Sequence, residues 1–250
     1  MSIGTKVFTP AASGRVPDMG GLVAFLGTNG FSGEVENRDE GRVSGFPTAG
    51  SMLEFERNQA IFSDGEPAGS FYKVTSGAVR LCKLFADGRR QIAGFCFPGE
   101  YFGLACQGKE YALTAEAMID TTVVRFSHSC LADLDRSSAE FRSHLVALLC
   151  GELSLAQNHL LMLGRQTVKE RIASFLLMML DRRGRDRRDG VMIDLHMGRQ
   201  DIADYLGLTI ETVCRTISDF KRAGILGVPG PREIVVKNIR LLQDTANGEV

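Results

Sequence analysis

The fold is decided by residues 198–223, which have the sequence GRQDIADYLGLTIETVCRTISDFKRA. Its apolar residues recur at helical spacing in two stretches, 199–206 and 210–222, on either side of Gly207. Glycine permits a sharp turn between helices, and Thr209 is a favoured helix N-cap. The residues expected to face inward on the two helices are Ile202, Ala203, Leu206, Val213, Ile217 and Phe220. The segment therefore predicts a helix-turn-helix with a small residue where the helices cross.

The second predicted helix carries a different set of residues on its opposite face. The candidates for contact with DNA bases, all near its N-terminal end, are Ile210, Glu211, Cys214 and Arg215. Arginine binds guanine O6 and N7 with two hydrogen bonds, glutamate accepts from cytosine N4, and isoleucine can contact a thymine methyl group. An ordinary helical hairpin held by salt bridges is the alternative. The combination of turn, cap and polar face favours a helix that lies in the major groove.

Further polar residues around the motif predict contacts with the DNA backbone. The candidates are Arg199, Gln200, Thr209, Thr212 and Lys221. After the second helix, the β-rich stretches 224–226 and 233–236 flank Pro229-Gly230-Pro231 and predict a hairpin wing. Charge supports a polyanion-binding segment here, because residues 1–163 have a balance of −4 and residues 164–250 a balance of +3.

Residues 51–130 have a different pattern, with short β-rich runs separated by glycines. The predicted strands cover residues 71–74, 78–84, 91–95 and 121–126. Asp87-Gly88 predicts a tight hairpin in which both turn residues have positive φ. Strands this short and this evenly spaced are typical of a small antiparallel barrel or roll.

Residues 131–163 predict one long helix. Its apolar residues include a heptad seam, consisting of Phe141, Leu145, Leu148, Glu152, Leu155, His159 and Met162. A second apolar stripe consists of Leu149, Leu153, Leu160 and Leu163. A helix that packs only on its own roll is the alternative to a paired one. Two stripes favour a dimerisation helix, with one stripe on the roll and the seam in the dimer interface.

Residues 1–50 contain scattered glycines with little periodicity, and they predict a flexible N-terminal arm. The cysteines are not spaced as metal or haem motifs require, and the histidines lack metal-ligand spacing, so no metal or cofactor is expected. Neither a secretion signal nor a run of 18 apolar residues is present, which favours a cytoplasmic location. Motifs for nucleophilic or phosphate chemistry are lacking too, and an enzyme is not expected.

The order of these segments resembles the Crp/Fnr family of bacterial transcription regulators over roughly residues 50–245. The resemblance is most specific in residues 199–209 and in Glu211-Thr212-Val213 followed by Arg215. The sequence of these residues is similar to that of the FixK branch. It implies an α+β fold: an antiparallel β-roll of the cyclic-nucleotide-binding, jelly-roll type in residues 51–130, a dimerisation helix in 131–163 and a winged helix-turn-helix in 164–250.

The resemblance also implies what the protein does. A FixK-like protein binds a palindrome of the TTGA…TCAA type as a homodimer, activates transcription by touching RNA polymerase, and controls microaerobic, nitrogen-fixation or respiratory genes. Glu211 and Arg215 match the group's base-reading residues. A repressor is the alternative within the same fold.

This sequence departs from the family's sensor members. The first cysteine is Cys82, so the cysteine cluster that holds an iron–sulfur centre before the roll is missing. Leu104 and Leu113 stand where cyclic-AMP receptors place a ribose-binding glutamate and a phosphate-binding arginine. We therefore expect neither cyclic nucleotide nor iron–sulfur cluster. A roll that still gates DNA binding with a gas or a small apolar ligand is the alternative.

Cys214 occupies a position on the second helix that is commonly serine in the Fnr group. Arg215 and the helix N-terminus favour the thiolate, which is the form that peroxides oxidise. We hypothesise that oxidation of Cys214 adds bulk or negative charge beside the DNA phosphates and blocks binding. The alternative is that this cysteine only fills the space of a serine.

Overall fold

The computed structural model describes residues 50–104, 106–107, 109–129, 139–182 and 187–249. The arm predicted for residues 1–50 lies outside this part of the chain, apart from Gly50. Within the described residues the N-terminal portion is built of strands that are paired antiparallel throughout. These are β1 (Ser51–Phe55), β2 (Ala60–Phe62), β3 (Ser70–Ser76), β4 (Val79–Leu84), β5 (Arg90–Cys96), β6 (Tyr101–Phe102), β7 (Cys106–Gln107), β8 (Glu110–Tyr111), β9 (Thr114–Ala117) and β10 (Thr121–Ser127).

The strands form the two faces of a roll. One four-stranded sheet has the order β1-β10-β3-β6 and the other has the order β2-β9-β4-β5, with β7 and β8 paired separately. Alternate side chains are buried, as in β9, where Ala115 and Ala117 are inside. The predicted strands correspond to β3, β4, β5 and β10, so the antiparallel roll is confirmed.

The β4–β5 hairpin is present at the predicted position but has a different turn. Gly88 has a φ of 82°, whereas the described non-glycine residues with positive φ do not include Asp87. The N–H of Phe85 donates to the carbonyl of Arg89, and the N–H of Gly88 donates to the carbonyl of Phe85. The three-residue loop 86–88 needs positive φ only at its last residue, Gly88, which explains the difference.

Helices and a small sheet make up the rest of the described chain. The helices are α1 (Ala139–Arg165), α2 (Val168–Arg182), α3 (Arg199–Leu206), α4 (Ile210–Arg222) and α5 (Ile239–Ala246). The strands are β11 (Val191–Asp194), β12 (Leu226–Gly227) and β13 (Glu233–Val236), in the order β11-β13-β12. β12 and β13 form the predicted wing. One hydrophobic core runs from Ile92 and Phe95 of the roll through α2 to the helix-turn-helix.

Several residues of the heptad seam of α1 pack within their own chain, whereas Glu152 is exposed, and the pairing of this seam with a partner stays a prediction. Leu145 and Met162 are buried, Leu148 packs against the Phe71, Tyr101 and Phe126 cluster of the roll, and His159 contacts α3. Glu152 and Leu155 belong to the same seam, and the side chain of Phe141 lies outside the described part. A heptad repeat indicates that a stripe is buried and not what buries it, so contacts within the chain are compatible with the pattern.

A different stripe of α1 is solvent-exposed. Val146, Leu149, Leu153 and Leu160 are 60%, 48%, 59% and 71% exposed, and Leu161 is 53% exposed. The stretch Leu145–Arg165 is also long and apolar enough to cross a membrane, with a mean hydropathy of 1.3 and 11% of it buried, which the sequence had not led us to expect. Helices of soluble proteins pass the same test of length and composition. We name Val146, Leu149, Leu153 and Leu160 the exposed α1 stripe.

Candidate nucleic-acid interface

The turn between α3 and α4 follows from three residues. Gly207 has a φ of 63° and ψ of 38°, in the left-handed region, and its N–H donates to the carbonyl of Ala203. The N–H of Leu208 reaches the same carbonyl at 3.0 Å. The hydroxyl of Thr209 then accepts from the N–H of Thr212 at 3.3 Å and caps α4. The predicted turn and cap are therefore both present.

The two helices bury the faces that the sequence indicated. Ala203 is fully buried on α3, so its methyl group allows close approach of the helices. Val213, Ile217 and Phe220 are the buried apolar residues of α4. Because these side chains join the core, the orientation of α4 is fixed by packing and its other face is left to solvent.

The exposed side of α4 carries three of the four predicted base-reading residues. Glu211, Cys214 and Arg215 are exposed and share one side of the helix. Ile210 is partly buried and packs against the core, so it lies at the edge of this surface. Ser218 is exposed one turn after Cys214, and sequence reasoning missed it because serine gives no distinctive signal. We name Glu211, Cys214, Arg215 and Ser218 the recognition face.

The charges of the recognition face are available for a ligand. Within the described chain Arg215 has no hydrogen bond or ion pair, whereas Arg222 at the other end of α4 pairs with Asp219. The pKa of Glu211 is lowered by hydrogen bonds from its own backbone N–H and from the Thr209 hydroxyl. Glu211 is therefore ionised at neutral pH and can act as an acceptor. Both groups present unfulfilled hydrogen-bonding capacity to solvent.

The predicted backbone-contacting residues surround this face. Gln200 and Lys221 are exposed, and the amide of Gln200 donates to Asp204 at 2.7 Å. Arg199 is half-buried at the start of α3, where burial lowers its pKa and Cys214 lies within range of its charge. In the described chain no carboxylate pairs with Arg199. A desolvated cation without an acid partner is suited to bind a phosphate.

The other acidic and aromatic residues of α3 face the roll. Asp201 and Asp204 pair with arginines of β4 and β5, and Tyr205 stacks on His159 with ring centroids 4.0 Å apart. Sequence reasoning identified neither set of contacts. The arginines that pair with the two aspartates are more than a hundred residues away along the chain, and a single sequence carries no signal of such pairing.

The roll interior is filled by stacked aromatic rings. The Phe62 ring lies 3.7 Å from that of Tyr111 at an interplanar angle of 15°, and it also stacks on Tyr72 and Phe102. The Tyr111 hydroxyl donates to the Ser70 carbonyl at 2.5 Å. Among the described residues, no group of three or more His, Cys, Asp or Glu side chains could hold a metal ion.

Comparison with family models gives one match for each part of the chain. Residues 52–138 match the cyclic nucleotide-binding domain, and residues 170–245 match the Crp-like helix-turn-helix domain. The first match covers the roll and the second covers the α3–α4 motif with its wing.

Relatives match over most of the chain. The nitrogen fixation regulation protein FixK of Azorhizobium caulinodans is 44% identical over 190 residues, which are 76% of this chain and 76% of that protein. The transcriptional activatory protein AadR of Rhodopseudomonas palustris is 39% identical, covering 72% and 75%. The solved structure of FixK2 from Bradyrhizobium japonicum is similar at a TM-score of 0.71 and 42% identity, covering 79% of this chain and 97% of that one.

Proposed function

The chain belongs to the Crp/Fnr family of DNA-binding transcription regulators, with FixK-type activators among its relatives, and we propose that it binds a TTGA…TCAA palindrome as a homodimer. Transcription regulators of this family are not enzymes, as the sequence had indicated. We further propose that the protein is a cytoplasmic activator of nitrogen-fixation or respiratory genes and that it touches RNA polymerase. The observation that carries the proposal is the recognition face, with Arg215 unpaired and Glu211 ionised.

Each half-site is contacted by one copy of α4. Arg215 donates two hydrogen bonds to a guanine, and Glu211 accepts from a cytosine N4. Cys214 lies between Glu211 and Arg215 along the chain, and Ser218 lies one turn after Cys214. Both are on the exposed side of the helix. Arg199, Gln200, Thr209, Thr212 and Lys221 bind the flanking phosphates, and Ile210 contributes an apolar edge. The capped N-terminus of α4 adds a favourable dipole toward the phosphates.

A second copy of the chain covers the exposed α1 stripe. Val146, Leu149, Leu153 and Leu160 are spaced by three, four and seven residues, which is the spacing of a two-stranded coiled coil. An exposed apolar row of this kind on a long helix marks an interaction surface. We assign the pairing surface to this stripe because Leu145, Leu148 and Met162 of the predicted seam pack within their own chain. Pairing of two helices places the two α4 helices at successive turns of the duplex.

Dimerisation is tested with Leu153→Asp. Burying the aspartate charge between two paired helices costs more free energy than the apolar contact of Leu153 contributes. Light scattering should give a dimer for the wild type and a monomer for this variant. Met192→Asp is the matched control, because Met192 is 52% exposed on β11 of the small sheet and does not belong to the stripe. A dimeric Leu153→Asp protein would show that the partner surface lies elsewhere.

DNA binding proceeds without an effector in this proposal. The stack of Phe62, Tyr72, Phe102 and Tyr111 supports it, because the rings occupy the roll interior themselves. Leu104 is partly buried against the Phe71 cluster, so an apolar side chain stands where the family's nucleotide receptors have a carboxylate. An uncharged interior is a poor site for a phosphate.

The deciding experiment is fluorescence anisotropy of purified, reduced protein on a TTGA…TCAA duplex and on a scrambled duplex, without added effector. We expect the palindrome to be bound at least about a thousandfold more tightly than the scrambled duplex. Equal affinities would reject effector-free operator binding. If selectivity then appeared only with an added gas or apolar ligand, the effector-gated alternative would be correct.

Activation is tested separately from binding. In transcription with purified RNA polymerase, a promoter that carries the palindrome should give more transcript when the protein is present. A decrease in transcript would identify a repressor. The scrambled operator in the same promoter serves as the control.

Cys214 provides a redox control of this interface. Its thiol is exposed on the recognition face, whereas Cys82 is buried in the roll, where burial raises its pKa to about 11. A peroxide transfers one oxygen to the Cys214 thiolate, giving a sulfenate and water, and the product repels the phosphates. Peroxide should therefore abolish palindrome binding by the wild type and by Cys150→Ser, whose removed thiol was exposed on α1, but not by Cys214→Ser. Equal loss in Cys214→Ser would reject this control.

A further inference from the structure

A cluster of charged side chains joins α3 to the roll. Arg90 of β5 donates to Asp201 at 2.7 Å and to Asp204 at 2.8 Å. Arg80 of β4 donates to Asp201 at 3.2 Å and to Glu116 of β9 at 2.7 Å. We name Arg80, Arg90, Glu116, Asp201 and Asp204 the charge cluster. It connects two strands of the roll directly with the first helix of the DNA-binding motif.

The charge cluster is largely removed from water. Arg80 and Asp201 are each 9% exposed as residues, and the Asp204 side chain is 12% exposed. Buried ion pairs of this kind contribute little net stability, because desolvation of the charges offsets their attraction. What they do impose is geometry, since moving α3 by a few ångströms would leave charges buried without partners.

Neighbouring contacts hold α3 in the same place. The side-chain amide of Gln91 donates to the Tyr205 carbonyl at 3.3 Å, and Nε2 of His159 donates to the same carbonyl at 2.8 Å. Asp201 also accepts from the N–H of Gly198 at 3.1 Å, so it belongs both to the start of α3 and to the charge cluster. None of these groups is on the recognition face.

We propose that Arg80 and Arg90 are positioning residues for operator binding: through Asp201 and Asp204 they fix the orientation of the α3–α4 motif on the roll. The inference rests on the proposed function, because orientation matters when two motifs must engage two half-sites at once. Bivalent binding raises affinity by about 10²–10⁴-fold only when the geometry permits simultaneous contact. A single half-site places no such demand on the motif.

The test compares one full palindrome with a duplex that carries a single half-site. Arg90→Gln removes the cation and keeps a polar side chain of similar length. We expect its affinity for the palindrome to fall by at least about tenfold while its half-site affinity stays within about twofold of the wild type. Arg89→Gln is the matched control, because the neighbouring Arg89 side chain is 84% exposed and pairs with Asp87 of its own loop.

A charge exchange separates orientation from loss of fold. In Arg90→Asp with Asp204→Arg, the pair between β5 and α3 is rebuilt with reversed signs, and palindrome affinity should recover at least about threefold relative to Arg90→Asp alone. Arg90→Lys keeps the charge without the two-pronged geometry and should lie between the wild type and Arg90→Gln. Light scattering and thermal unfolding of each variant establish that it is a folded dimer.

Each outcome assigns a cause. If the wild type does not prefer the palindrome, the proposed function fails and this inference fails with it. If the wild type prefers the palindrome and Arg90→Gln binds the palindrome with the same affinity as the wild type, only the positioning role is rejected. Equal losses on palindrome and half-site would show damage to the recognition face itself, and would also reject the positioning role.

Discussion

The two helices of the DNA-binding motif put their charges to opposite uses. α3 has eight residues, of which five are buried, and both of its aspartates are paired with arginines of the roll. α4 has thirteen residues, of which four are buried. Arg215 is exposed without a partner in the described chain, and the exposed Glu211 accepts hydrogen bonds from its own backbone N–H and from Thr209 at the start of the same helix. The helices are consecutive and share one core, yet one is tied to the protein and the other is open to a ligand.

The difference shows that the surroundings of a charge, more than its residue type, decide its role. A carboxylate that is desolvated beside a guanidinium is committed to that partner and fixes the position of its helix. A carboxylate on an exposed helix face keeps its hydrogen-bonding capacity for another molecule. α3 is thus held against the roll, whereas the exposed face of α4 remains available for the DNA contacts that we propose.

The largest effect is expected on α4. Arg215→Ala should lose about 1–3 kcal/mol of DNA-binding free energy per half-site and relax the choice of base at one guanine position. Anisotropy with duplexes that carry each base at that position provides the measurement. Arg222→Ala is the control, since Arg222 lies on the same helix and is paired with Asp219. Undiminished discrimination by Arg215→Ala would mean that the recognition face is wrongly assigned.

The start of α4 gives the next effect. Thr209→Ala removes the hydroxyl that accepts from Thr212, and it should lower the free energy of unfolding by about 0.5–2 kcal/mol. Urea unfolding followed by circular dichroism measures the change. Thr209→Ser keeps the hydroxyl and should remain within about 0.5 kcal/mol of the wild type. Equal destabilisation by both variants would point to loss of the methyl group instead.

A smaller change is expected at the start of α3. Arg199→Gln removes a cation that has no carboxylate partner in the described chain, so DNA binding should weaken on every sequence. The slope of log affinity against log salt concentration should become shallower by about one per half-site. Arg240→Gln is the control, since Arg240 is also exposed but lies on α5 and not on the helix-turn-helix. A salt slope that is unchanged by Arg199→Gln would exclude a phosphate contact.

The smallest effect is expected on the pH dependence of the free energy of unfolding, through His159, which contacts Tyr205 of α3. Burial lowers the pKa of His159 from its usual 6.5, although hydrogen bonds to backbone carbonyls oppose the shift. As the pH falls, the unfolded state therefore binds this proton before the folded state does. The contribution of His159 to the free energy of unfolding is complete above about pH 6.5 and is lost as the pH falls below that value. His159→Phe keeps an aromatic ring against Tyr205 and should flatten this part of the stability curve. Urea unfolding at pH 5.5 and 7.5 measures it; an equally steep curve in His159→Phe would assign the titration to another group.

Much of this molecule could be predicted from its sequence because the relevant signals are local. Gly207, Thr209 and the apolar spacing of residues 198–223 predicted the helix-turn-helix, its turn and its cap. Alternating apolar runs predicted the principal strands of the roll. The hairpin at Asp87-Gly88 was predicted in place, but its turn type depends on the length of the loop, three residues here, which a dipeptide does not specify.

Periodicity was least informative for surfaces that one helix shares among several neighbours. The seam that contains Leu145 and Met162 was periodic enough to predict burial, and both side chains are buried within their own chain. Ile210 was assigned to the recognition face, and the core takes part of its surface. In both cases periodicity identifies a face of the helix, and only the packed structure identifies what lies against it.

The sequence by itself determined the order of the elements, the helix-turn-helix and the family, since these depend on residues that are close together in the chain. The tertiary structure alone decided which charges are committed and which are available. Arg90 and Asp204 are 114 residues apart, and Arg80 and Asp201 are 121 apart, so their pairing arises only when the roll and α3 come together. Buried charges that would lose their partners hold α3 at that contact, whereas Arg215 has no such contact within the described residues and remains available for the proposed contact with DNA.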